Sequence, residues 1–190
     1  MRILAVERVT GPVGLPVTVD EFIDHARLNG LTVDRQPDLI QRELTAATMR
    51  AERYLRRSIM TQTLKGYWDT DRLSCDTRIV LPRGRVQSVS TVSGASGSPV
   101  LDPAAYQITG AVITLQSPAY TPMSVIWVSG YGDEPEDVPD SVREGILEYA
   151  TVLYSDRPGR RETRFVGTGT QKLPPGIADL WRGEQIEIGG

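Results

Sequence analysis

Residues 37–57 read PDLIQRELTAATMRAERYLRR, and this stretch decides the fold class. Pro37 suits the first position of a helix, where its missing N–H costs nothing. Ile40, Leu44, Ala47, Ala51 and Leu55 follow at spacings of three and four and form one apolar stripe. Arg42, Arg50, Arg53 and Arg57 fall on the opposite face. A helix of ~20 residues would be ~30 Å long. Directly after it the texture changes. From Ile59 to Tyr131 the chain breaks into short β-type runs: Thr61–Trp68, Arg78–Leu81, Val86–Val92, Tyr106–Ile108, Val112–Leu115 and Met123–Ser129. Thr109-Gly110-Ala111 reads as a tight hairpin and Gly94–Pro99 as a loop tip. Connections this short require antiparallel pairing, because parallel strands need long crossovers.

Working outward, Thr18 and Glu21 have capping-box spacing, with Val17 and Phe22 placed for a hydrophobic staple. The first helix is therefore expected over 18–29, stopping at Asn29-Gly30. A third is expected over 140–155, burying Val142, Ile146, Tyr149, Ala150 and Leu153, with Asp140, Glu144 and Glu148 in a row opposite. Leu173-Pro174-Pro175 opens a short terminal helix carrying Ile177, Leu180 and Trp181. The expected fold is α+β: a small bundle of three to four helices with an antiparallel β region, 59–131, inserted between helices two and three. Residues 1–16 read as an N-terminal arm, 17–155 as the main domain, and 156–190 as a flexible C-terminal arm ending in the short helix.

The chain has 190 residues and a net charge of −3, which argues against a dedicated nucleic-acid binder needing a basic face. One cysteine, Cys75, excludes an intramolecular disulfide framework, and one histidine, His25, excludes a His-rich metal site. No apolar run approaches the ~18–20 residues of a membrane span. The first eight residues hold too short an apolar stretch for a signal peptide, so synthesis is expected in the cytosol.

Catalytic patterns are sparse. Gly167-Thr168-Gly169-Thr170-Gln171-Lys172 lacks the spacing and preceding strand of a phosphate loop. There is no nucleophile elbow and no zincin motif. His25 lies in a helix with no nucleophile marked out for it. The acidic neighbour Asp76 disfavours a thiolate at Cys75. Asp69, Asp71 and Asp76 lack the order of a calcium loop, as do Asp133, Glu134, Glu136 and Asp137. No catalytic residue, metal or cofactor is assigned.

Charge patterning remains. Of 21 basic residues 19 are Arg, the better partner for planar interface ion pairs, although codon usage in a GC-rich genome accounts for the excess equally well. Arg157, Arg160, Arg161 and Arg164 form a second basic cluster, while Asp133–Glu148 holds seven acids against Arg143 alone. Solvated helix faces explain this. So does a head-to-tail interface in which Arg42, Arg50, Arg53 and Arg57 meet Asp140, Glu144 and Glu148 of a neighbour, since a heterologous contact needs two different, complementary patches.

In order and spacing the segments resemble the head–tail connector (adaptor) proteins of long-tailed bacteriophages and gene transfer agents. The resemblance runs from about Val17 to Trp181. It is carried by Val17-Thr18-Val19-Asp20-Glu21-Phe22, Ala51-Glu52-Arg53-Tyr54-Leu55, Thr61-Gln62-Thr63-Leu64, Leu81-Pro82-Arg83, Val86-Gln87-Ser88-Val89 and Leu101-Asp102-Pro103-Ala104-Ala105-Tyr106. Val128-Ser129-Gly130-Tyr131-Gly132-Asp133 is its strongest part, and Leu173-Pro174-Pro175 completes it. A longer N-terminal arm and the Arg-rich 155–172 segment depart from the family pattern.

The resemblance implies a non-enzymatic structural protein of the virion or particle neck, made in the host cytoplasm. It would form a ring, usually dodecameric, beneath the portal protein, extend the channel through which DNA passes, and seat the next stopper or tail protein. No membrane and no cofactor is implied. Under that reading Leu173, Pro174, Pro175, Ile177, Leu180 and Trp181 are candidates for the portal contact, since an apolar knob on a mobile arm gains burial on a partner. Folding back onto its own core is the alternative. Rival readings are a stopper or tail terminator, expected to be more β-dominated, and a small metal-dependent hydrolase built on Asp69, Asp71, Asp76 and His25.

Overall fold

The computed structural model describes residues 2–28, 36–69, 76–94, 100–116, 123–155 and 173–184. The fold is α+β, with antiparallel sheets and four α-helices among the described residues. The chain divides into two compact units, 1–13 with 56–133 and 14–55 with 134–190, where the sequence suggests one domain over 17–155. No helix among the described residues is long and apolar enough to cross a membrane.

The first unit is β-rich. Strands β1 (Arg2–Thr10), β2 (Gln62–Asp69), β4 (Val86–Ser93) and β7 (Met123–Ser129) form one sheet in the order β1-β2-β7-β4. Strands β3 (Arg78–Val80), β5 (Tyr106–Thr109) and β6 (Val112–Leu115) form a second, in the order β3-β6-β5. Among the described residues the five strand pairings within these sheets are antiparallel. Strand β2 alternates buried and half-buried side chains, as a strand with one core face must. Leu64 and Trp68 from β2, Val92 from β4, and Val125 and Trp127 from β7 pack with Ile79, Leu81, Ile113 and Leu115 of the smaller sheet and its flank. Trp68 and Trp127 pack with ring centroids 6.1 Å apart, within the range of favourable aromatic pairs.

At the exit of β7 the chain is tied closely to the entrance of β2. Gly130 N–H donates to the Arg85 carbonyl, Tyr131 N–H to Ile59, and Thr61 N–H to Gly132. Gly130 has φ +152°, and a Cβ there would stand 2.6 Å from the backbone N and Cα of Thr61. Only glycine permits that approach. This is the Val128–Asp133 stretch on which the sequence resemblance rests most.

The second unit is helical: α1 (Val19–His25), α2 (Pro37–Leu55), α3 (Asp140–Ser155) and α4 (Pro175–Arg182). The capping box is present. Glu21 N–H donates to Thr18 Oγ1 at 3.2 Å, and Thr18 N–H to Glu21 Oε2 at 2.7 Å. Ile40, Leu44, Ala47, Ala51 and Leu55 are fully buried, so the stripe read from the sequence is the core face of α2. Phe22 meets Tyr154 edge-on at 5.6 Å. Arg143 of α3 pairs with Glu21 and donates from Nε to the Pro16 carbonyl at 3.2 Å, which joins the α1 entry to α3.

Three boundaries depart from the sequence reading, each for a local reason. Helix α1 stops at His25 rather than reaching 29, because Arg27 turns left-handed at φ +50°. Helix α2 stops at Leu55 rather than 57, because Arg56 does the same at φ +54°. Residues 1–16, expected as an arm, carry the nine-residue strand β1 paired along β2. The side chains of residues 3–10 are exposed on both faces, so the strand lacks the alternation of a half-buried one.

Candidate functional site

The residues proposed for subunit contacts divide between the two units. Arg42 and Arg53 are exposed on α2, and Arg42 donates to the adjacent Glu43 carboxylate at 3.2 Å. Arg50 is half-buried. Arg57 does not continue their row. The left-handed turn at Arg56 carries it out of the helix and into the β-rich unit, where its Nη1 donates to the Tyr131 hydroxyl at 3.3 Å. The basic row of α2 is thus Arg42, Arg50 and Arg53.

The acidic row stands on α3. Asp140 is fully exposed and lies 3.7 Å from Arg143 Nη1. Glu144 is half-exposed, with a carboxylate oxygen 3.8 Å from His25 Nδ1. Glu148 lies one turn further along and, with His25, Val152, Pro174 and Ile177, lines an open groove of about 300 Å³. Exposed charges at such distances contribute ~0–1 kcal/mol each, so the row is a surface feature rather than a support of the fold.

The terminal helix is seated where the sequence left two possibilities. Ile177 and Trp181 are buried in their own unit. The Trp181 indole N–H donates to the Val142 carbonyl at 3.3 Å, and its ring packs against Tyr54 at 5.8 Å between centroids. Tyr54 donates its hydroxyl proton to the Ala178 carbonyl at 3.4 Å. Gly145 makes room for the indole: a Cβ there would lie 2.8 Å from Cε2, 3.0 Å from Cδ1 and nearer still to Nε1. Of the two possibilities, Trp181 takes its burial on α3, where Gly145 leaves room for the ring and the Val142 carbonyl accepts its N–H. Leu173, Pro174 and Leu180 remain half-buried and Pro175 exposed.

The rival metal grouping falls partly outside the described residues. Asp71 and Cys75 lie outside the described residues, and Asp69 and His25 belong to different units. Among the described residues no group of three or more His, Cys, Asp or Glu side chains lies together in a metal-holding arrangement. The Arg157–Arg164 cluster, Gly167–Lys172 and residues 95–99 of the loop tip also lie outside the described residues.

One arrangement was not read from the sequence. Arg83, Gly84 and Arg85 all have positive φ and form a left-handed turn between β3 and β4. Ser129 Oγ donates to the Arg83 carbonyl at 2.7 Å and also reaches that of Gly84. The Arg85 guanidinium lies over the Tyr131 ring, 4.3 Å from its centroid. Tyr131 is thus held between Arg57 and Arg85. The Pro82-Arg83-Gly84 sequence signals a turn, but nothing in it marks arginines for the left-handed region.

No protein-family model matches the chain, and no curated protein sequence matches it. Its fold is similar to that of solved chains from gene transfer agent (GTA) particles. One is from the neck of an empty GTA particle computed with C6 symmetry, at 16% identity and a TM-score of 0.76. Another is from the virion of a native GTA particle, at 17% and 0.74. A third, from the neck of a native GTA particle computed with C12 symmetry, gives 15% and 0.67. Each likeness covers 98% of this chain and 98% of the other. At these identities the likeness establishes a shared fold over the whole chain.

Proposed function

We propose that the chain is a structural, non-enzymatic neck protein: a head–tail connector (adaptor) subunit that forms a ring beneath the portal. The ring extends the DNA channel and seats the next stopper or tail protein. The observation that carries the reading is the end-to-end likeness to neck chains, one of them from a particle neck computed with C12 symmetry. A ring of identical subunits needs heterologous contacts, and the α2 basic row and the α3 acidic row supply two different patches. Asp140, Glu144 and Glu148 then face Arg42, Arg50 and Arg53 of the neighbouring subunit, while Arg57 is bonded to Tyr131. The portal contact falls on Leu173, Pro174, Pro175 and Leu180, the part of the terminal segment that Ile177 and Trp181 anchor.

The test is electron microscopy of the purified protein alone and mixed with the portal protein from its own gene cluster. Rings stacked coaxially on the portal are expected. A monomer that ignores the portal overturns the adaptor role and returns the chain to the other neck components. Reversing charge at Glu144 and Glu148 together should reduce ring yield, and normal rings from that variant would refute the charge pairing. Leu180→Glu leaves Ile177 and Trp181 seated and should weaken portal binding, whereas unchanged binding would sink the terminal docking.

A further inference from the structure

One strand carries a group of exposed apolar residues. Of the ten large apolar residues exposed among those described, Ile3, Leu4, Val6 and Val9 belong to the single strand β1. The register assigns them. Ile3 pairs with Trp68 and Val6 with Gly66, on the face of β2 that carries the core, while Glu7 pairs with Lys65 on the other face and accepts a hydrogen bond from Tyr67. Leu4 and Val9 sit at the two bulges, leaving an unbroken ladder over Ala5–Arg8. Arg8, opposite Leu64, is the third β1 residue on that face, so its apolar part is Ile3 and Val6, and among the described residues no strand pairs with the outer edge of β1. An exposed apolar edge strand is a template for pairing with another chain.

The opposite edge of the same sheet is β4. Its outer side carries one described bridge, Ser93 to Val100, with Leu101 N–H donating to the Val92 carbonyl, both at its C-terminal end. Val86 and Val89 lie on the core face, half-buried and packed against the core cluster. Strand β4 (VQSVSTVS) carries no charge, so it lacks the lysines and acids with which edges are commonly protected. All three pairings from β1 through β2 and β7 to β4 are antiparallel, so β1 and β4 run in opposite directions. Placed end to end, the β4 edge of one copy meets the β1 edge of the next as an antiparallel neighbour, with Val86 and Val89 on the same face as Ile3 and Val6. The two edges are different surfaces, as a contact that closes into a ring requires.

We infer that β1 docks on the β4 edge of an adjacent copy of this chain, joining the four-stranded sheets of neighbouring subunits through Ile3 and Val6 on one side and Val86 and Val89 on the other, with the exposed Val9 at the adjoining bulge. The inference rests on the proposed ring and specifies its principal contact. Val6→Lys with Val9→Lys tests it, because both side chains are exposed in the single subunit and the fold should keep its Tm. Ring yield, with portal present, should fall at least tenfold. In a Cys75→Ser background, Val6→Cys with Val89→Cys, flanked by Ser88→Cys and Ser90→Cys as register controls, should give a reducible ladder of covalent oligomers. Rings from the double-lysine variant as abundant as those of the unmodified chain, or rings in which none of the cysteine pairs cross-links, overturn the edge contact and leave the ring standing. Absence of rings from the unmodified chain overturns the proposed function and this contact with it.

Discussion

Gly145 offers a perturbation whose sign reverses with its surroundings. In an ordinary helix interior, replacing glycine by alanine stabilises by about 1 kcal/mol, because alanine restricts the unfolded chain and favours the helix. Gly145 lies within α3, so propensity alone predicts a gain. The structure predicts a loss. The new Cβ would stand within 3.0 Å of three atoms of the Trp181 indole, which is fully buried and hydrogen-bonded to Val142. A buried ring has no free end to swing aside, so Trp181 must leave its seat or α4 must shift. Emptying a tryptophan site costs about 3–5 kcal/mol, and subtracting the helix gain leaves a net loss of about 2–4 kcal/mol. For a chain of this size that is a drop of roughly 4–16 °C in Tm. The informative assay is a double-mutant cycle followed by thermal and urea unfolding, with near-UV circular dichroism reporting the indole. Trp181→Ala alone should destabilise by about 3–5 kcal/mol. Adding Gly145→Ala to it should then stabilise, because the obstacle is gone and propensity is left. A Gly145→Ala protein more stable than the parent while Trp181 is present would refute the seating of α4 on α3.

Other perturbations follow from single contacts. Thr18→Ala removes the capping-box acceptor for Glu21 N–H and should cost about 1 kcal/mol, read as a lower urea midpoint at unchanged slope. Gly130→Ala drives a Cβ into the Thr61 backbone, which cannot rotate away; a loss of about 3 kcal/mol or more is expected, visible as insoluble or unfolded protein. Arg143→Ala removes the partner of Glu21 Oε1 and of the Pro16 carbonyl, while Glu21 Oε2 keeps Thr18, and at this partly exposed site should cost about 1–2 kcal/mol by thermal unfolding. Rings held mainly by the β1 edge should persist when salt is raised from about 0.1 M to about 1 M, where the screening length falls from ~10 Å to ~3 Å. Rings that dissociate over that range would be held by the charged rows instead.

The parts of the fold legible in the sequence were those whose signal is local and periodic. The α2 stripe from Ile40 to Leu55 is buried as its spacing requires, and the Thr18/Glu21 box caps α1. Strands β6 and β7 begin and end where alternation predicts, because both present one face to the core. Strand β1 escaped for the converse reason. It buries neither face, so selection for a core imprints no alternation on it, and its strand character comes from the ladder with β2 alone. Helix ends were misplaced where arginine enters the left-handed region, at Arg27 and Arg56, a conformation that favours glycine or asparagine and that no propensity assigns to arginine.

The same distinction governs the candidate site. Charge is visible in a sequence whatever the fold, so Arg42, Arg50, Arg53 and Arg57 read as one row; a single turn at Arg56 is enough to remove the last of them to another unit. An apolar terminal segment is equally visible, but whether Trp181 covers a partner or its own helix depends on a glycine 36 positions earlier in the chain, at Gly145. The proposed edge contact is less legible still. Ile3 and Val6 are unremarkable apolar residues until the sheet order places them at the opposite end of the same face from Val86 and Val89. Surface pairs between charged side chains contribute ~0–1 kcal/mol each and are screened by salt, whereas burying a valine or isoleucine contributes about 1.5–3 kcal/mol and is not. In the proposed ring the apolar edge would therefore supply most of the strength, and the charged rows would chiefly bias which neighbour arrives and in what register.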